Sequence, residues 1–302
     1  MMRSALLALS TRPGLGRALD RLPLTRRLVR RFVAGTELED ALAVIRRVND
    51  GGLSAAVTYL GENVATETAA RAAAAAYLEI LDQIKRRSLR CVPSLKLTHM
   101  GLDVSEAACV DNLRRILDRA RDHGTLVWID MEQTAYTERT LRLYAELRRE
   151  YPNVACVVQA YLRRSEEDVR RLIGIGATVR LCKGAYREPP SLAFADKVEV
   201  DRSYERLMDL LLAAGVYTGF ATHDERLIAR VERRARELGT PREHVEIQML
   251  YGIRGDLHGR IRAMGLALRL LVPYGEEWYG YFMRRLAERP ANLLFLLKSL
   301  AR

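Results

Sequence analysis

Residues 154–182 read V-A-C-V-V-Q-A-Y-L-R-R-S-E-E-D-V-R-R-L-I-G-I-G-A-T-V-R-L-C. The first eight form an apolar run of strand length, and residues 165–173 then place Val169, Leu172 and Ile173 at helical spacings of three and four. Residues 178–182 are apolar again, so the stretch predicts a strand, a helix and a second strand. The same unit recurs along the chain. Further strands are expected near 55–60, 91–97, 126–131, 216–222, 245–250 and 268–272. Helix-type segments fill the intervals at 66–87, 105–123, 137–150, 195–214, 225–238 and 253–264, with a last helix over 277–300. Strands this apolar, without clean alternation, need cover on both faces, which means a parallel sheet wrapped by helices. Eight repeats favour closure into a (β/α)8 TIM-type barrel. The rival open sheet would carry Gly-x-Gly-x-x-Gly after its first strand, whereas Tyr59 is followed by Leu-Gly-Glu-Asn. Residues 1–52 are expected to form an N-terminal helical segment packing on the barrel, with Gly35 and Gly51-Gly52 as breakers, and residues 53–302 the catalytic barrel itself.

A chain of 302 residues, 49% hydrophobic and 29% charged, can bury a large core without disulfides or a structural metal. Its four cysteines are far apart and read as buried thiols of a reducing cytosol, which points to a cytoplasmic protein. The five histidines lack zinc-site spacing, so no metal is expected. A net charge of +11 would attract anions, whether nucleic acid, acidic lipid or a phosphorylated cofactor. The arginines are spread over helical faces and are not interleaved with aromatics, so nucleic acid is not expected as a partner. No run of about 18 apolar residues occurs. Residues 24–33, L-T-R-R-L-V-R-R-F-V, are basic and amphipathic; they fit a packed cap helix or a peripheral contact with anionic membrane.

Polar residues break the apolar strands at their carboxyl ends. Lys96, Asp130, Gln159, Arg180 with Lys183, Thr222 with His223, and Gln248 do so on six successive strands. Each has a bland explanation, such as a Lys96–Asp130 pair or a glutamine satisfying loop backbone. Six strands behaving alike call for a common cause, because buried charge is costly and the carboxyl ends of barrel strands form one mouth. On the last helix Tyr281, Arg284, Arg285 and Glu288 share a face. Two adjacent guanidinium groups can grip a carboxylate. A solvated ladder with Glu288 is the alternative.

The motifs V-R-L-C-K-G-A-Y (179–186), F-A-T-H (220–223), Q-M-L-Y-G (248–252) and Y-x-x-R-R-x-x-E (281–288) together resemble those of the proline dehydrogenase family, in order from about Lys96 to Pro290. The resemblance implies a flavoprotein of proline catabolism that uses FAD to oxidise L-proline to 1-pyrroline-5-carboxylate. It further implies a quinone electron acceptor at the inner face of the membrane and hand-off of the product to a pyrroline-5-carboxylate dehydrogenase. Lys96, Asp130 and Arg180 would be catalytic. Arg284, Arg285 and Lys96 would hold the proline carboxylate, while Tyr186, Tyr281 and Leu250 pack on its ring and Asp130 lies beside its amine. Gln159 and Arg180 would touch the flavin ring, and Lys183, Gly184 and Ala185 the ribityl and pyrophosphate. Thr222, His223 and Gln248 would hold further parts of FAD, with Tyr186, Leu250, Arg285 and Glu288 bordering both ligands. One departure stands out. Many family members carry tyrosine where this chain has Leu271, so either Tyr274 supplies that hydroxyl or the site lacks it. Two readings compete with the resemblance: a lyase forming a Schiff base on Lys96, and a basic module binding nucleic acid or a membrane surface.

Overall fold

Eight parallel strands close on themselves in sequence order, each paired with the next and the eighth with the first. This is a (β/α)8 barrel, as the repeated unit predicts. The computed structural model describes residues 29–288. The strands are β1 Ser54–Tyr59, β2 Cys91–Leu95, β3 Val127–Ile129, β4 Val154–Gln159, β5 Val179–Cys182, β6 Thr218–Ala221, β7 Val245–Leu250 and β8 Ala267–Tyr274. Helix α1, Leu38–Asp50, precedes them. The connecting helices are α2 Glu67–Arg86, α3 Glu106–Asp122, α4 Thr134–Arg148, α5 Ser165–Gly174, α6 Lys197–Ala214, α7 Glu225–Glu237 and α8 His258–Ala263, and α9 is Trp278–Glu288.

Helix starts are fixed by side chains that take up otherwise orphaned N–H groups. Thr66 accepts from Ala69 N, Ser105 from Ala108 N, Asp196 from Val198 N and Glu199 N, and Asp224 from Arg226 N. The predicted helix over 253–264 is shorter than expected. Gly252 and Arg254 both take positive φ, 77° and 52°, and a single 3-10 turn, Gly255–Leu257, follows before α8 begins. Non-glycine residues pay for that backbone region, so the turn breaks helical propagation there. The last helix is described to Glu288; the remainder of the predicted 277–300 stretch falls outside the described residues.

Strand side chains divide by parity. Val57, Leu95, Ile129, Cys156, Val158, Leu181, Phe220, Ile247, Leu268 and Val272 join the buried layer between sheet and helices. Ala56, Val92, Trp128, Ala155 and Val157 point the other way and pack together inside the barrel. Val29, Phe32 and Val33, from the amphipathic 24–33 stretch, bury their apolar face against Trp278, Phe282 and Met283 of α9. Residues 24–28 lie outside the described part. No helix among the described residues is long and apolar enough to cross a membrane. All four cysteines are free thiols, three buried and Cys182 half-buried.

Candidate active site

Interior parity carries Lys96, Asp130, Gln159, Arg180 and Gln248 to one mouth. Asp130 follows β3 directly and is tied into the sheet by its N–H, which donates to Leu95 O at 2.7 Å. Arg180, on β5, is 6% exposed. Its Nη1 donates to Asp130 Oδ1 at 2.6 Å and to Ser94 Oγ at 3.0 Å, and its Nε donates to Gln248 Oε1 at 2.5 Å. The guanidinium lies 4.5 Å from the Trp128 ring centroid, on an attractive π face. Burial drives its pKa down and the Asp130 carboxylate opposes this.

Below Arg180 the polar chain continues toward the barrel interior. Gln248 Nε2 donates to Glu246 Oε1 at 2.7 Å, and Glu246 receives the Arg269 fork at 2.8 and 2.9 Å. Gly219 leaves room for this amide, because a Cβ there would come within 2.3 Å of Gln248 Nε2.

A second cluster joins the loops after β1 and β2 to α9. Lys96 forms a close ion pair with Glu62, whose other oxygen accepts from Arg284 Nη1 at 3.4 Å. The expected bland alternative, a Lys96–Asp130 pair, is therefore corrected: Lys96 pairs with Glu62, and Asp130 pairs with Arg180. Burial pushes the Glu62 carboxyl up, but Lys96 and Arg284 together outweigh it and hold it below the ordinary glutamate range. Arg284 lies 6.0 Å from the Tyr186 ring, and Arg285 5.1 Å from Tyr281. Tyr186, with its hydroxyl pushed up by burial, senses the charges of Arg284, Glu62 and Asp130, so the two clusters border one space. Glu288 closes α9; its side chain lies outside the described residues.

Around the mouth the β5 and β6 loops add a third group. Lys183 bonds Asp201 at 2.5 Å and lies 3.7 Å from Asp224, while Lys197 shares Asp201 at 2.6 Å. His223 Nε2 accepts from Leu250 N at 2.9 Å, which puts the proton of the neutral ring on Nδ1. Thr222 is buried, and its hydroxyl accepts from Asp224 N at 3.1 Å. Gly184 and Ala185 lie in the loop after β5. A Cβ on Gly184 would meet the Tyr161 ring at 2.1 Å, so packing demands glycine there whatever lies on the open side. Gln159 donates to Met131 O at 3.4 Å, while its buried Oε1 has no hydrogen-bond partner among the described residues.

Leu271 sits inside the barrel in register with Ala56 and packs with the interior cluster. Tyr274 is three residues on, at the opposite parity, and stacks on Tyr59 at 5.2 Å in the outer layer. Of the two alternatives for the absent tyrosine hydroxyl, substitution by Tyr274 is thus excluded by strand geometry. Sequence reasoning missed Glu62, Ser94, Trp128, Glu246 and Arg269. Period-two alternation from Gln248 back to Glu246 was the available signal for Glu246 alone.

The family model described as proline dehydrogenase matches residues 41–298. Proline dehydrogenase 1 of Bacillus subtilis is 41% identical over 276 residues, covering 91% of each chain. The proline dehydrogenase of Deinococcus radiodurans is 35% identical over 90% of each. Among solved structures, proline utilization A from Bdellovibrio bacteriovorus, inactivated by N-propargylglycine, superposes with a TM-score of 0.82 at 28% identity. That match covers 87% of this chain and 33% of the longer protein. On the family match and these identities, the chain belongs to the proline dehydrogenase family.

Proposed function

We propose that the chain binds FAD at the barrel mouth, oxidises L-proline to 1-pyrroline-5-carboxylate and delivers the electrons to a membrane quinone. In this reading residues 53–302 are the catalytic unit and residues 1–52 a segment packed on it. The product passes to a pyrroline-5-carboxylate dehydrogenase, and any membrane contact is peripheral. The observation that carries the proposal is the convergence of Lys96, Arg180 and Arg284, from two strand ends and a distant helix, on one space lined by Tyr186.

The donor set suits a flavin nucleotide. Gln159 Oε1 is a buried acceptor lacking a partner among the described residues, as a ring N–H would require, and Arg180 is a cation held by three neighbours. Lys183, Gly184 and Ala185 would hold the ribityl and pyrophosphate, with Lys183 turning part of its charge from Asp201 to the phosphate. Thr222, His223 and Gln248 would hold further parts.

When bound, the flavin supplies the hydride acceptor. Oxidation removes a hydride from the ring carbon beside nitrogen and a proton from the nitrogen, leaving a C=N bond. The protein's part is placement and charge. Arg284, Arg285 and Lys96 grip the carboxylate, which fixes the angle at which the ring carbon is presented. Tyr186, Tyr281 and Leu250 cover the pyrrolidine and exclude water. Arg180 sets a positive charge where negative charge develops, and Asp130 keeps that guanidinium in place.

The purified protein is expected to be yellow, to bleach on addition of L-proline without air, and to regain colour with a soluble quinone. A colourless protein that is trapped on Lys96 by borohydride in the presence of substrate would replace this reading with the lyase.

A further inference from the structure

Three loops at the mouth each carry a residue of the site, and each sends a second group into one buried knot. Asn63, next to Glu62, donates its N–H to Thr98 Oγ1 at 3.0 Å. Thr98, two residues after Lys96, is fully buried. Glu132, two residues after Asp130 and 3% exposed, takes Thr98 N on Oε1 at 3.1 Å and the Thr98 hydroxyl on Oε2 at 2.6 Å. A further bond from Val64 N to Thr98 O, at 3.3 Å, closes the knot.

The position of this knot matters because sheet hydrogen bonding ends at Asp130 and short of Glu62 and Lys96. Strand β1 ends at Tyr59, β2 at Leu95 and β3 at Ile129, each before its functional residue. Asp130 keeps one sheet bond, its N–H to Leu95 O at 2.7 Å, but the placement of Glu62 and Lys96 against it depends on contacts between the loops. The Thr98 hydroxyl donates once and accepts once, and so spans all three. A buried carboxyl that accepts the backbone N–H and the hydroxyl of one threonine is a costly device for cohesion alone, since an apolar pair would pack there at less desolvation cost.

We infer that Thr98 and Glu132 are positioning residues for substrate: the Thr98 hydroxyl sets the spacing of the Glu62, Lys96 and Asp130 loops and thereby the grip on the carboxylate. This rests on the proline-oxidation reading above. Thr98→Val keeps the shape but removes both hydrogen bonds of the hydroxyl; Thr98→Ser keeps them. Steady-state kinetics with L-proline are compared with thermal unfolding and flavin absorbance of the same preparations. Thr98→Val is expected to raise KM about ten-fold with kcat within about two-fold and flavin retained, and Thr98→Ser to return KM to the parent value. A lowered unfolding temperature with the parent KM would mean the knot serves stability alone and would overturn the inference. Should Thr98→Val not fold, Glu132→Gln decides, a raised KM supporting the inference and the parent KM overturning it. Failure of the underlying reading looks different, because the parent protein itself would then not oxidise proline.

Discussion

Arg180 and Asp130, 50 residues apart in sequence, meet inside the barrel at 2.6 Å, with Ser94 bonded to both. Neither charge is well solvated, so each depends on the other. Asp130→Ala would leave a buried guanidinium uncompensated and is expected to cost about 3–5 kcal/mol of folding stability. Asp130→Asn, which keeps an acceptor for Arg180, should cost less. Chemical denaturation of the two variants checks this; equal stability of Asp130→Ala and the parent would mean that water satisfies Arg180.

Arg284 and Arg285 stand beside Tyr186 and Tyr281 on a helix that reaches the mouth from outside the barrel. Replacing either with methionine keeps much of the side-chain volume and removes charge-assisted donors. Each lost bond costs about 1.5–3 kcal/mol, so KM for proline should rise roughly ten- to a hundred-fold while flavin absorbance is kept. Unchanged proline kinetics in both variants would remove the carboxylate clamp from these residues.

The barrel was legible because its signal is repeated eight times and each strand carries a continuous apolar run. Strand β7, Val245–Leu250, coincides with the expected range, β1 is shifted by one residue, β8 extends past its range at both ends, and the others lose one or two residues at an end. At the carboxyl ends of β2 and β3 regular strand pairing stops where Lys96 and Asp130 turn into the mouth. These residues were readable because they interrupt apolar runs. Glu62 was not, since it follows Gly61 in a loop that has no pattern to interrupt, and only the fold brings it to Lys96 and Arg284. The Glu246–Arg269 pair joins adjacent strands β7 and β8, and no linear spacing announces a bond between residues 23 positions apart.

Gln159 offers a test of the cofactor that does not depend on turnover. Its buried Oε1 has no partner among the described residues, which disfavours the protein without ligand. Gln159→Leu removes that cost and is expected to leave the flavin-free protein at least as stable as the parent, while weakening flavin binding about ten-fold. Fluorescence titration of the stripped protein with FAD measures the second effect. Parent affinity in Gln159→Leu would mean that the amide faces no group of the flavin.

His99 gives the fold a pH dependence in a defined window. Its ring lies against Tyr59 and Tyr77, at 5.3 and 6.5 Å between centroids, and Gly61 is so close that an added Cβ would sit 2.3 Å from it. Burial, with the Lys96 charge adding to it, pushes the imidazole down to about 4 from 6.5. The unfolded chain therefore takes up this proton first as pH falls. The stability due to the neutral ring is complete above about pH 6.5 and is lost progressively between about 6.5 and 4, on the order of 3 kcal/mol in all. Glu62, whose carboxyl lies below the ordinary range, adds its own loss only at more acid pH. His99→Phe keeps an aromatic ring against Tyr59 and cannot take up a proton, so its stability should be flatter across the upper window. Urea denaturation of both proteins at pH 7, 6 and 5 measures the difference, and parallel curves would show that another group carries the titration.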